Sequence, residues 1–273
     1  QFQQIAGDGG ILQSLIDGRV QERIAASRNA ASKAVATRRR PITGVSEFPN
    51  LDESPVPVLN DEPSDVASVG NGISLPETGD GEFFTAIKEA FAEGTELAEI
   101  VASVPRASNP ITVEKIARTR LAEPFEALRE TAERSPSGTP PVIYLACLGP
   151  LAQFTARATW VNNAFSAGGI ASAGAEQTEN LEALVSDFKA SGATIACLVS
   201  SDKVYEDEAE AAAKALKDAG ASHLYLAGKP GEMEEKLRAA GVDTFVFAGC
   251  NLLELLGEVH DQLRLAGHEE ASA

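Results

Sequence analysis

"VIYLACLGPLAQFTARATW", residues 142–160, decides how the chain folds. Seven apolar residues, Val142 to Leu148, run without interruption into Gly149-Pro150, and a helix-like pattern begins at once. A near-continuous apolar run fits a strand buried on both faces of a parallel sheet. A strand that breaks at a glycine and passes straight into a helix is how an open α/β sheet delivers a ligand to its first turn. Yet Gly149-Pro150-Leu151-Ala152-Gln153 holds no acid, base, metal ligand or glycine-rich cradle.

The pattern repeats toward the C-terminus. Strands are predicted near 142–148, 170–173, 194–199, 223–227 and 243–248, with helices near 154–167, 179–191, 205–219, 230–240 and 251–264. Five β-α units imply a flavodoxin-like, Rossmann-like five-stranded parallel sheet of order 2-1-3-4-5 over residues 139–273.

Upstream the organisation changes. Residues 1–50 place Ile11, Leu12, Leu15, Ile16, Val20, Ile24, Ala31 and Val35 at helical spacing, and "PITGVSEFP" then predicts one short strand. A helix and a strand do not make a domain, so this section reads as the last unit of a larger α/β structure. Residues 51–81 carry Pro55, Pro57, Pro63 and Pro76 with four glycines and no sustained period, which predicts an extended linker. Two helices are predicted over 82–103 and 112–134, the second bent at Pro124, in a helical segment that closes by residue 138.

Composition narrows the function. The 273 residues carry a net charge of −17 with pI near 4.6, which argues against a nucleic-acid surface because phosphate neutralisation needs clustered cations. The one basic run, Arg38-Arg39-Arg40, reads as a solvated helix end. Cys147, Cys197 and Cys250 lie far apart among apolar residues, so neither a disulfide framework nor a metal knuckle is expected, and the compartment reads as reducing and cytoplasmic. No apolar run approaches the ~18 residues that span a bilayer. The chain opens on Gln1 rather than Met, which reads as a piece of something longer.

Ligands of an open parallel sheet bind beyond the carboxyl ends of its strands. The candidate tips are Gly149 to Gln153, Ser200-Ser201-Asp202, Ala227-Gly228-Lys229 and Gly249-Cys250-Asn251. No aspartate ends the first strand as a phosphoacceptor site needs, and the dinucleotide fingerprint is reduced to Gly149. His223, His260 and His268 fall away from the tips.

The whole chain resembles the C-terminal part of a methylmalonyl-CoA mutase. "TGVSEFPNL" (43–51) is similar to the end of that family's (β/α)8 substrate barrel, and "IARTRLAEPFEALRE" (116–130) to the helix before its cobalamin domain. In cobalamin-binding members the first turn of that domain reads Asp-x-His-x-x-Gly. The histidine is the lower cobalt ligand, the aspartate orients it and the glycine admits the nucleotide tail. Aligned on Gly149, those positions hold Leu151, Gln153 and Ala156. The Ser-x-Leu after the third strand stands as Ser200-Ser201-Asp202, and the Gly-Gly after the fourth as Ala227-Gly228.

The resemblance therefore implies the family's smaller, non-catalytic subunit. Its larger homologous partner in the heterodimer would hold adenosylcobalamin and interconvert succinyl-CoA and (R)-methylmalonyl-CoA for propionate metabolism. No catalytic, cofactor-binding or metal residue is carried over to this chain. The competing expectation is a regulatory domain binding a small ligand at the altered tips through Gln153, Ser200, Asp202 and Asn251. Convergence of those four in one crevice would favour it.

Overall fold

A computed structural model describes residues 1–53, 73–76, 81–104, 110–135, 138–178 and 180–263. They fall into two compact units, Gln1–Gln21 with Ser54–Lys115, and Glu22–Glu53 with Ile116–Ala273. Most of the predicted linker lies outside the described residues.

In the first unit the described elements are short helices: α1 (Phe2–Gly7), α2 (Ile11–Ile16), α4 (Glu82–Ala92) and α5 (Leu97–Ser103). The single helix expected over 82–103 is two. Gly94 adopts φ +88°, a left-handed conformation that ends α4. α3 (Arg19–Ala36) begins in this unit and runs on into the second.

The second unit is built on β1 (Val142–Cys147), β2 (Ala171–Gly174), β3 (Ile195–Val199), β4 (His223–Ala227) and β5 (Thr244–Val246). All pairings are parallel and the order is β2-β1-β3-β4-β5, as the sequence predicts. Successive side chains of a strand point to opposite faces, so each central strand feeds two cores. Ile143, Leu145 and Cys147 of β1 join Ile195, Cys197 and Val199 of β3 on one face, under α7 (Leu151–Ser166) and α12 (Leu252–Gln262). Tyr144, Ala146, Ala196 and Leu198 face the other way, under α8 (Leu181–Ser191), α10 (Glu210–Asp218) and α11 (Glu234–Ala239). Full burial of one large apolar side chain contributes roughly 1.5–3 kcal/mol.

Two upstream expectations are corrected. Residues 112–120 are not helical, and α6 (Glu123–Glu133) starts only after them, with Pro124 in its first turn instead of at a bend. Proline lacks the N–H that a helix interior needs, whereas the first turn has no intrahelical use for it. Residues 42–48 form a tight loop closed by one bridge, Thr43 to Glu47, and not a strand. Gly44 at φ +78° and Phe48 at φ +52° turn the backbone out of the extended region.

That loop is held on the domain. Ile42 and Val45 pack against the α7/α12 core, Arg129 Nη1 donates to the Gly44 carbonyl (2.9 Å), and the Phe48 N–H donates to Asn163 Oδ1 (2.9 Å). Arg38 is not a solvated helix end. It adopts φ +55°, lies 5.6 Å over the Trp160 ring and bonds Glu47 at 3.2 Å.

His260 of α12 is buried, with Nε2 2.8 Å from the Gly168 carbonyl. A carbonyl only accepts, so Nε2 carries the proton and Nδ1, buried without a partner, is a bare lone pair. Burial holds the ring pKa below its usual value despite the opposing pull of that carbonyl and of Asp261. His223 is lowered in the same direction, first by burial. The unfolded chain then binds protons more readily than the folded one, so this stability is present above about pH 6.5 and is lost as pH falls through the folded-state values. Urea midpoints should drop on acidification below that pH, and less steeply in His260→Gln. An identical slope in that variant would remove His260 from the account.

Candidate functional site

The order of strands reverses between β1 and β3, which makes their tips the place for a ligand. Gly149 leaves β1 at φ +69°, and a Cβ there would lie 3.2 Å from the Val204 methyls. Pro150 in extended backbone then caps α7, which starts at Leu151, earlier than the expected 154.

α7 has one cation in its 16 residues, Arg157, and its guanidinium occupies the crevice beyond β3 and β4. Nη1 donates to the carbonyls of Ser200 (2.6 Å) and Ala227 (3.2 Å), and Nη2 to Asp202 Oδ1 (2.6 Å). The group lies 5.5 Å over the ring of Tyr205. Tyr205 Oη accepts from the Ser200 N–H (2.8 Å), and its hydroxyl faces the carbonyls of Leu198 (3.1 Å) and Ala227 (2.9 Å). Burial pushes that phenol well above its ordinary pKa, so it stays a neutral donor. A Cβ on Gly228 would sit 3.3 Å from Leu226, 3.5 Å from Arg157 Nη1 and 3.6 Å from Tyr205. The site is closed by its own side chains.

Ser200, fully buried, donates from Oγ to the Leu148 carbonyl at 2.8 Å. Asp202 caps the crevice from outside through its bond to Arg157. Ser201 accepts from the Val204 N–H at 3.5 Å and starts α9 (Asp202–Val204). Leu151 is 61% exposed, and Gln153 and Ala156 lie on the exposed side of α7. Asn251 caps α12, accepting from the Glu254 N–H and donating to its carboxylate. Of the four polar candidates only Ser200 and Asp202 meet, and they meet through Arg157.

Between the sheet and helices α7 and α12 the layer is filled by a continuous cluster that includes Phe154, Val161, Phe165, Tyr225 and Leu252. Cys147 and Cys197 are buried in it, and burial pushes Cys147 up to about 12 and raises Cys197 as well, so both stand as neutral thiols in the core. Among the described residues no group of three His, Cys, Asp or Glu side chains could hold a metal.

Sequence reasoning missed Arg157 and Tyr205. The available signal was local: one cation in a helix with no acid, three residues past the buried Phe154. A planar fork can serve two carbonyls and a carboxylate at once, whereas an ammonium cannot reproduce that geometry. Arg157→Lys and Arg157→Met should both lower stability by about 1–2 kcal/mol in denaturant titrations, because the Ser200 carbonyl loses its guanidinium donor while that of Ala227 keeps Tyr205. An unchanged midpoint in Arg157→Lys would show that the fork is dispensable.

Residues 1–71 match the family model described as Methylmalonyl-CoA mutase. The chain is 36% identical over 267 residues to a methylmalonyl-CoA mutase small subunit of Streptomyces virginiae, 97% of this chain and 35% of that protein. It is 28% identical to the small subunit of Porphyromonas gingivalis over 96% of this chain and 35% of that one. The Propionibacterium freudenreichii subsp. shermanii small subunit is also 28% identical, over 97% of this chain and 34% of its own length. The chain thus spans about a third of the length of these relatives. The likeness to these methylmalonyl-CoA mutase small subunits runs through nearly all of the chain's residues.

Proposed function

We propose that the chain is part of the smaller, non-catalytic subunit of a heterodimeric methylmalonyl-CoA mutase, and that its role is assembly and stabilisation of a larger homologous partner. In this reading residues 1–50 close a substrate-type barrel, 51–81 link it onward, 82–138 form a helical segment and 139–273 a cobalamin-type domain without the cobalamin motif. Adenosylcobalamin and the isomerisation of succinyl-CoA and (R)-methylmalonyl-CoA belong to the partner. Thiols without a described disulfide suit a reducing, cytoplasmic setting, and no described helix is long and apolar enough to cross a membrane.

One observation carries the reading: the crevice where such a sheet receives its ligand is occupied by Arg157. Adenosylcobalamin does not fit the residues present. The position of the lower cobalt ligand holds Gln153, that of its orienter an exposed Leu151, and the sheet-to-helix layer beneath is packed with Phe154 and its neighbours. An amide is a poor cobalt ligand, and an imidazole without an orienting partner is a weak one. No step of the rearrangement is assigned to this chain.

Titration of the full-length chain with adenosylcobalamin should give no stoichiometric change toward a nitrogen-ligated spectrum. Gln153→His alone should stay without micromolar affinity, since Arg157, Leu151 and Ala156 are untouched. Micromolar binding in that single variant would sink the non-binding reading. The assembly role is tested separately: adding the chain should raise the thermal midpoint of the larger chain without adding a second cobalamin. Equal stability and activity of the larger chain by itself would overturn it.

A further inference from the structure

A second recess opens beside the tip of β1, on the α8 side of the sheet. It encloses about 200 Å³. Leu148 and Leu184 are buried at its apolar base, and Ala211 lies exposed along one wall. Leu181, 39% exposed, stands at the mouth.

The polar groups around it divide sharply. Thr178 donates to the Cys147 carbonyl at 3.3 Å, and Asn180 accepts from the Ala183 N–H at 2.9 Å, so both serve the fold. In the acidic stretch 202–210, Asp202 is held by Arg157, and Glu210 by Lys214 and Lys236. Asp207 and Glu208 line the recess, and among the described residues neither has a cation partner. Their placement follows from a π turn over Tyr205–Ala209, which buries Tyr205 and Ala209 and leaves the three acids between them exposed, Asp207 and Glu208 beside the recess. Such turns are frequent at functional sites.

We propose that this recess is a protein-docking pocket, taking an apolar side chain flanked by lysine or arginine on the larger mutase chain. The inference rests on the reading of this chain as a small subunit with such a partner. Three features select that occupant. The base is apolar and sized for a side chain, matching the buried anchors that dominate interfaces. The rim carries two carboxylates, which attract cations and repel acidic competitors. The overall charge of −17 extends that bias to the whole molecule.

The test uses the full-length chain and the larger mutase chain from the same source. Ala211→Trp fills the recess from an exposed helix position, and the double reversal Asp207→Lys with Glu208→Lys inverts its rim. Each should weaken association at least tenfold, and the reversal should also flatten its salt dependence. Asp218→Lys, exposed farther along α10, makes a like charge change and should stay within twofold. The thiol of Ala211→Cys should react with a maleimide in the free chain and be protected once the larger chain is added, read at residue 211 by mass spectrometry. Wild-type affinity in both recess variants overturns the pocket while leaving the assembly reading intact. A thiol at 211 that is unreactive before mixing also overturns it, because the chain then covers its own recess. If the wild-type chains do not associate at all, the assembly reading falls and the pocket with it.

Discussion

A single guanidinium ties together the carboxyl ends of β3 and β4. Parallel strands that end at a crevice expose carbonyls with no partner of their own, and in most open α/β sheets a loop, water or ligand must answer them. Here Arg157 answers the carbonyls of Ser200 and Ala227 from one nitrogen and holds Asp202 with another. Tyr205 beneath it completes the set by bonding Ser200 and Ala227 as well. Gly228 lies beside them, where an added Cβ would meet the end of Leu226 at 3.3 Å and touch the same guanidinium at 3.5 Å.

This arrangement depends on α7 serving two layers at once. Phe154, Ala158, Val161 and Phe165 recur at helical spacing and drive the helix onto the sheet. Arg157 lies next to Ala158 on the flank of that stripe, where a long side chain can reach past the strand ends while its charge stays half in solvent. The packing therefore fixes the arginine, and the arginine in turn closes the crevice. On the outer side of α7, Trp160 and Asn163 receive the loop that follows α3 through Arg38 and Phe48. Residues 22–53, which lie within the stretch matched to the mutase family, are thus part of the same unit as the sheet.

The face beyond the strand tips is ordinary protein surface and core. Leu151 stands in solvent at the start of α7, and Ser200 bonds the Leu148 carbonyl from inside the fold. Between them the turn out of β1 takes a left-handed backbone at Gly149.

The sequence by itself determined the sheet: its five strands, their order and the helices between them follow from apolar runs whose period is set by the backbone. It also showed that no acid, histidine or glycine stands at 151, 153 and 156, since that is a matter of residue identity. Local signals failed where two effects competed. Pro124 reads equally as a bend or a start, and β-branched residues around Ile42 read as strand until Gly44 and Phe48 turn the chain back. Arg38 looked like a solvated helix end because nothing nearby in sequence announces Trp160 as its partner. Only the tertiary structure decided the fate of the crevice. Arg157 is separated from Ser200 by 43 residues and from Ala227 by 70, and no periodicity reports which distant carbonyls a long side chain will find. That choice is made by packing, when Phe154 and Val161 settle the rotation of α7 against the sheet and aim the guanidinium at the strand tips.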